Sequence, residues 1–232
     1  MDWKEARYKL RKSIEQFGNM MIEMTNGKGP MPPTMIDPYN INNEKFSLEK
    51  RTLIVNMLCF SAVKDCSARH LDELLIGINT PDMLIRTSIA DACGACGYAP
   101  AIPAIIRKFK DSRDKRELER LAFALTAMGE SAVRELVDLL LDIYYREGNQ
   151  VASNILWNFA VGALVNMGTD VVDWLLKFLH DEHPDRWWIA VMLCRQNFQV
   201  ICSEKARDMW EDQANRSNQL FIQRLGQILR DS

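Results

Sequence analysis

Three stretches of the chain can be laid over one another: Ile89 to Gly97, Leu121 to Gly129 and Ala160 to Gly168. Each carries apolar or small residues at helical spacing and ends in glycine. Each is followed by a second helical run that ends in aspartate, at Asp111, Asp142 and Asp181. One such unit cannot bury its own apolar face. Repetition of a helix pair therefore predicts an all-α chain built by adding units along one direction rather than around one centre.

The periodicity predicts helix pairs over 47–64 with 67–78, 82–97 with 101–110, 115–129 with 131–146, 151–168 with 170–181, and 184–196 with 203–214. A terminal helix is expected over 216–230. Ahead of them, residues 2 to about 25 read as one helix. Its apolar stripe is Trp3, Leu10, Phe17 and Met24, with Ile14 and Met21 between them, and Arg7 and Arg11 fall on other faces. Residues 26 to 46 contain dense prolines (Pro30, Pro32, Pro33, Pro38), which forbid regular helix and predict an extended connection. Ser47 is placed to cap the next helix, with Lys50 where a capping box would carry Glu. The expected organisation is a capping helix plus connection over 1–46, a repeat body over 47–214 and a capping helix over 215–232. End helices of this kind cover apolar faces that terminal repeats would expose.

The 232 residues are 47% hydrophobic and 26% charged, which is ordinary globular composition. A net charge of -2 supplies no field to draw in nucleic acid or an anionic membrane. Met1 to Glu5 leads into a charged helix instead of a secretory apolar core. The apolar run Ile155 to Val165 falls short of the ~20 residues a membrane span requires. A cytoplasmic protein with no membrane span is the expectation, and its six cysteines then read as reduced thiols.

Two segments share a more specific signature. Pro81-Asp82 precedes Arg86-Thr87-Ser88-Ile89-Ala90 and Cys93. Pro184-Asp185-Arg186-Trp187-Trp188-Ile189-Ala190 precedes Leu193. With the second-helix run Ala101 to Asp111, this resembles the HEAT repeat, in particular the short variety of bilin-lyase-like HEAT proteins. The match covers residues 67 to 196 well and 47 to 66 loosely. The signature arginine is replaced by Leu118 in one unit and Trp157 in another. The resemblance implies a right-handed α-solenoid of stacked antiparallel helix pairs, with first helices on the convex side and partners held on the concave face or edge loops. It implies no particular reaction.

Cys93-Gly94-Ala95-Cys96 invites a redox or zinc reading. Superposition of the repeats places Cys93 with Leu125 and Leu164, and Cys96 with Met128 and Met167, so both are expected in the interior. His70, His180 and His183 do not complete a metal set, and no His-Glu dipeptide of the kind that di-iron HEAT proteins distribute over their repeats occurs. No metal, cofactor or catalytic residue is expected. On the second helices, Arg107, Asp138 and Lys177 form one column and Pro103, Arg134 and Asp173 another. Their alternating signs predict ion pairs between units and disfavour a polyanion groove. The segment Asp111 to Arg120 balances its charges and reads as a solvated turn.

Trp187 and Trp188 replace Thr87 and Ser88 of the earlier unit, and Trp174 falls in the column of Ala104 and Glu135. Exposed tryptophans are natural anchors for a partner. These three are the expected partner-binding residues, with burial of one of the adjacent pair under the terminal helix as the competing reading. The leading functional expectation is a non-enzymatic scaffold or adaptor that binds another protein. Two alternatives follow from resemblance alone: a lyase-like chaperone for a hydrophobic ligand, and a HEAT-like DNA glycosylase, which the net charge disfavours.

Overall fold

The computed structural model describes residues 2–25, 38–147 and 154–168, together with 170, 171 and 174. The protein is all-α. Among the described residues there are eight α-helices and no strand: α1 (Trp3–Met24), α2 (Leu48–Asp65), α3 (Ala68–Leu75), α4 (Met83–Cys96), α5 (Ile102–Asp111), α6 (Lys115–Met128), α7 (Glu130–Glu147) and α8 (Ile155–Asn166). Three short 3-10 turns lie between them, at Pro38–Asn42, Ile76–Asn79 and Ala99–Ala101. None of the described helices is long and apolar enough to cross a membrane. The helices expected beyond residue 181 and the tryptophans at 187 and 188 lie outside the described residues.

Local chemistry sets the helix starts. Ser47 Oγ accepts from the backbone N–H of Lys50 at 3.3 Å, as its place before α2 predicts. Asp114 opens α6 by accepting from the N–H groups of Arg116 at 2.7 Å and Glu117 at 3.1 Å. Asn154 does the same for α8 through Leu156 and Trp157.

The helices α2, α4, α6 and α8 pack in series, each on the next, while α5 and α7 lie together against α6 and α7 also meets α8. Small residues let the first helices approach closely. Ala92, Ala95, Ala124, Ala127, Ala160 and Ala163 are all buried at these contacts. One apolar core runs through the whole row, with Phe109, Leu118, Leu121 and Leu125 among its fully buried side chains. The residues that replace the signature arginine, Leu118 and Trp157, both belong to it.

The register repeats from one contact to the next. A side chain at Gly94 would begin 2.9 Å from the carbonyl oxygen of Ala124. One unit later, Thr126 occupies the same column as Gly94. Its hydroxyl donates to the carbonyl of Ala163, the equivalent of Ala124, at 3.1 Å. Sequence columns therefore correspond to spatial positions across two successive contacts.

The connection after α1 is more ordered at its end than its prolines suggest. Residues 38–42 form a 3-10 turn rather than extended chain, and Ile41 is fully buried. Ile41 packs so near the turn after α3 that a Cβ on Gly77 would come within 2.7 Å of its side chain.

Candidate functional site

Among the described residues, a cluster of side-chain contacts lies where α1 meets the ends of the first helices. An α-helix leaves its last carbonyls without internal partners and carries partial negative charge there. In this chain α1 supplies the donors. Its heptad-spaced stripe holds only in part. Leu10 is buried and Trp3 and Ile14 pack on the core, but Met24 is 72% exposed. The buried positions instead include Ala6 and Gly18, because a straight helix repeats every 3.6 residues and drifts off a seven-residue stripe. Helix α1 covers α2, α4 and α6, so it reaches well beyond the first pair.

Three residues four apart reach the ends of α2, α6 and α8. Arg11 Nη2 donates to the carbonyl of Lys64 at the end of α2, at 3.3 Å. Arg7 Nε donates to Ala127 O at 2.9 Å and Nη2 to Met128 O at 3.4 Å, at the end of α6. Trp3 donates its backbone N–H to Met167 O just past α8, at 3.4 Å, and its indole Nε1 to Asp170 Oδ2 at 3.0 Å. A helix presents residues i, i+4 and i+8 on one side, and that side of α1 spans the row.

The repeat glycines are the seats for these contacts. Gly97, Gly129 and Gly168 all have positive φ, at 62°, 64° and 83°. Gly97 ends α4 in the left-handed conformation that glycine adopts without penalty. A Cβ on any of the three would also press on α1 or its cap: Gly97 would collide with the Arg7 guanidinium, Gly129 would crowd the Trp3 ring at 3.1 Å, and Gly168 would meet Asp2 Cβ at 2.9 Å.

Trp174 belongs to this cluster. It is half-buried, and its ring lies 6.1 Å from that of Trp3, centroid to centroid, at 57°. The Arg7 guanidinium sits 4.8 Å from the centroid of the Trp3 ring and Lys4 Nζ 5.4 Å, both within cation–π range. Of the three tryptophans expected to bind a partner, Trp174 is therefore joined to α1, and Trp187 and Trp188 lie outside the described residues. Truncation of Trp3 to alanine removes an indole hydrogen bond, a ring contact and two cation contacts. We expect Trp3→Ala to lower stability by about 2 kcal/mol. Hydrogen exchange should show the loss of protection concentrated in α1, with the core of α4 and α6 following only the global change.

The charged segment Asp111 to Arg120 is a solvated turn only in part: Asp111, Arg113 to Arg116 and Glu119 are exposed, but its second half is the first turns of α6. Glu117 is buried and accepts from Arg86 Nε at 2.6 Å and from Ser112 Oγ at 2.7 Å. Arg86 Nη1 also donates to Thr80 O at 2.7 Å, tying the start of α4 to α6. Arg120 of α6 pairs with Asp91 of α4, and burial pushes the Asp91 carboxyl up to about 6 against the pull of that arginine. Arg51 of α2 meets Asp82 at 3.1 Å. Between second helices, the pair Lys110 with Asp142 forms at 2.7 Å, one turn from the columns in which the sequence suggested such pairs.

The cysteines divide as the repeat alignment suggests only in part. Cys93 is fully buried like Leu125, and burial pushes its thiol up to about 12. Cys96 is only half-buried, unlike Met128 in its column. No group of three or more His, Cys, Asp or Glu side chains among the described residues is arranged to hold a metal ion. His180 and His183 lie outside them. No family model matches the chain, and no curated protein or solved structure matches it.

Proposed function

We propose that this protein is a non-enzymatic scaffold that holds another protein on a HEAT-like, right-handed α-solenoid in the cytoplasm. The observation that carries the reading is the repeated register. Gly94 meets the Ala124 carbonyl, and Thr126, one unit on in the same column, meets the Ala163 carbonyl. Contacts that recur unit by unit extend a surface along one direction, which is the form of a repeat that grips a long partner. A second feature supports it: the row already holds one helix, α1, across several units through side chains four residues apart. The edge that Trp174 shares with Trp3, Lys4 and Arg7 combines aromatic surface with positive charge, a composition common in binding hot spots.

The test is affinity capture with the full chain, followed by cross-link mapping of whatever is retained. We expect a stoichiometric protein partner whose links map to the Trp174 edge or to the second helices α5 and α7. Trp174→Ala should weaken it at least tenfold while keeping the helical circular dichroism. Failure to enrich any protein above a control at all salt concentrations would overturn the reading. Co-purification of a light-absorbing small molecule would replace it with the ligand-carrier alternative.

A further inference from the structure

Four cysteines face one another where α2 packs on α4, and they lie at two depths. Cys59 and Cys93 are enclosed in the core, and burial pushes both thiols up. Cys66 and Cys96 lie at the carboxyl ends of the two helices and are each half-buried. Cys66 follows the last residue of α2 with a φ of 48°, the only positive φ outside glycine among the described residues. Its Sγ donates to the carbonyl of Val63 at 3.6 Å. The Sγ of Cys96 reaches across from α4 to the carbonyl of Ala62 at 3.9 Å. These acceptors are consecutive on the last turn of α2, and Cys66 is the neighbouring side chain that most strongly holds the Cys96 thiol up. The CxxC spacing suggests Cys93 as the partner of Cys96. The fold offers Cys66 instead, from thirty residues earlier in the chain.

We propose that Cys66 and Cys96 form a reversible dithiol–disulfide site that is oxidised by a hydroperoxide. The Cys66 thiolate attacks the peroxide oxygen, the O–O bond breaks, and the alcohol leaves with a proton. The resulting sulfenic acid is attacked by the Cys96 sulfur. The S–O bond breaks, water leaves, and the S–S bond forms. Two thiols thus lose two electrons and two protons, and one hydroperoxide becomes one alcohol and one water. Burial pushes the Cys96 thiol up and Arg11 opposes some of that effect, so its sulfur attacks as its proton passes to the departing hydroxide. The bridge would tie the ends of α2 and α4 together directly beneath Arg7 and Arg11 of α1. It would also close the segment that contains α3 into a loop.

The experiment treats the reduced full-length protein with hydrogen peroxide at a few equivalents, alkylates the remaining thiols under denaturing conditions, and maps the peptides. The expected result is one intramolecular link between Cys66 and Cys96, with loss of two hydrogens and full reversal by dithiothreitol. Cys59 and Cys93 should remain alkylatable. The oxidised form should melt roughly 5–10 °C higher, because the bridge restricts the unfolded chain. Cys66→Ser and Cys96→Ser should each abolish the link and the shift. The wild-type peptide map decides the matter even if a variant folds poorly. A link between Cys93 and Cys96, links only between separate molecules, or sulfinic acid on both residues would overturn the proposal.

Discussion

Replacement of Gly94 by valine should cost about 3 kcal/mol of unfolding free energy, measured by denaturant titration. The reason is the approach of α4 to α6. A Cβ at Gly94 would lie 2.9 Å from Ala124 O and 3.1 Å from Ala124 Cα. Both are backbone atoms, so no rotamer change makes room, and the helices must move apart. They would lose contact along the small residues that pack between them, Ala92 and Ala95 on one side and Ala124 and Ala127 on the other. The matched control is Gly162 of α8, where a Cβ meets nothing within 4 Å. Gly162→Ala should raise stability by roughly 0.5–1 kcal/mol, as expected for a glycine removed from a helix interior. Opposite signs at two helical glycines would be hard to obtain from any other arrangement of these helices.

The second large effect is expected at Glu117. Its side chain is 5% exposed and that of Arg86 is 15% exposed, so the pair has little water to fall back on. Glu117→Ala leaves a guanidinium without its carboxylate and also strips Ser112 of its acceptor. Loss of one member of a buried pair leaves an uncompensated charge, at a cost of about 3 kcal/mol or more. Replacement of both Arg86 and Glu117 by leucine should recover much of that loss, since the desolvation of two charges disappears together. A double-mutant cycle on these positions reads the coupling directly. A double variant as unstable as Glu117→Ala alone would mean that Arg86 acts mainly through Thr80 O.

Much of the architecture is written in local sequence. The glycines at 97, 129 and 168 mark helix ends, and each takes the positive φ that a terminating glycine supplies. Ser47 caps α2, and Cys93 is buried where Leu125 is buried. These features depend on neighbours within one turn or on a column that the repeat itself exposes. What the sequence hides depends on which distant surfaces meet. Arg7 and Arg11 look like solvated cations on a helix face, yet they dock on carbonyls that the repeat places at the ends of α6 and α2. Their spacing from Trp3 is a signal, but only once the row of helix ends is known. Glu117 and Arg120 sit in a run of mixed charge whose composition resembles a surface turn, yet both pair with α4, and Glu117 is buried. The turn at Pro38–Asn42 was hidden by the prolines that precede and open it, although Ile41 is the kind of isolated apolar residue that a core recruits. Cys96 shows the limit of motif reading: its nearest thiol by sequence is Cys93, and the one within reach at the helix ends is Cys66.

The account rests on α1 lying across the described helices with its first turn beside Asp170. Zero-length carbodiimide cross-linking measures that placement most directly, because Lys4 Nζ lies 4.0 Å from Asp170 Oδ2 and both side chains are reachable by solvent. Peptide mapping of the monomer should recover a Lys4–Asp170 link alongside Lys110–Asp142, and Trp3→Ala should deplete the first while leaving the second. Recovery of Lys110–Asp142 with Lys4 joined only to carboxylates of its own helix or of another molecule would contradict it.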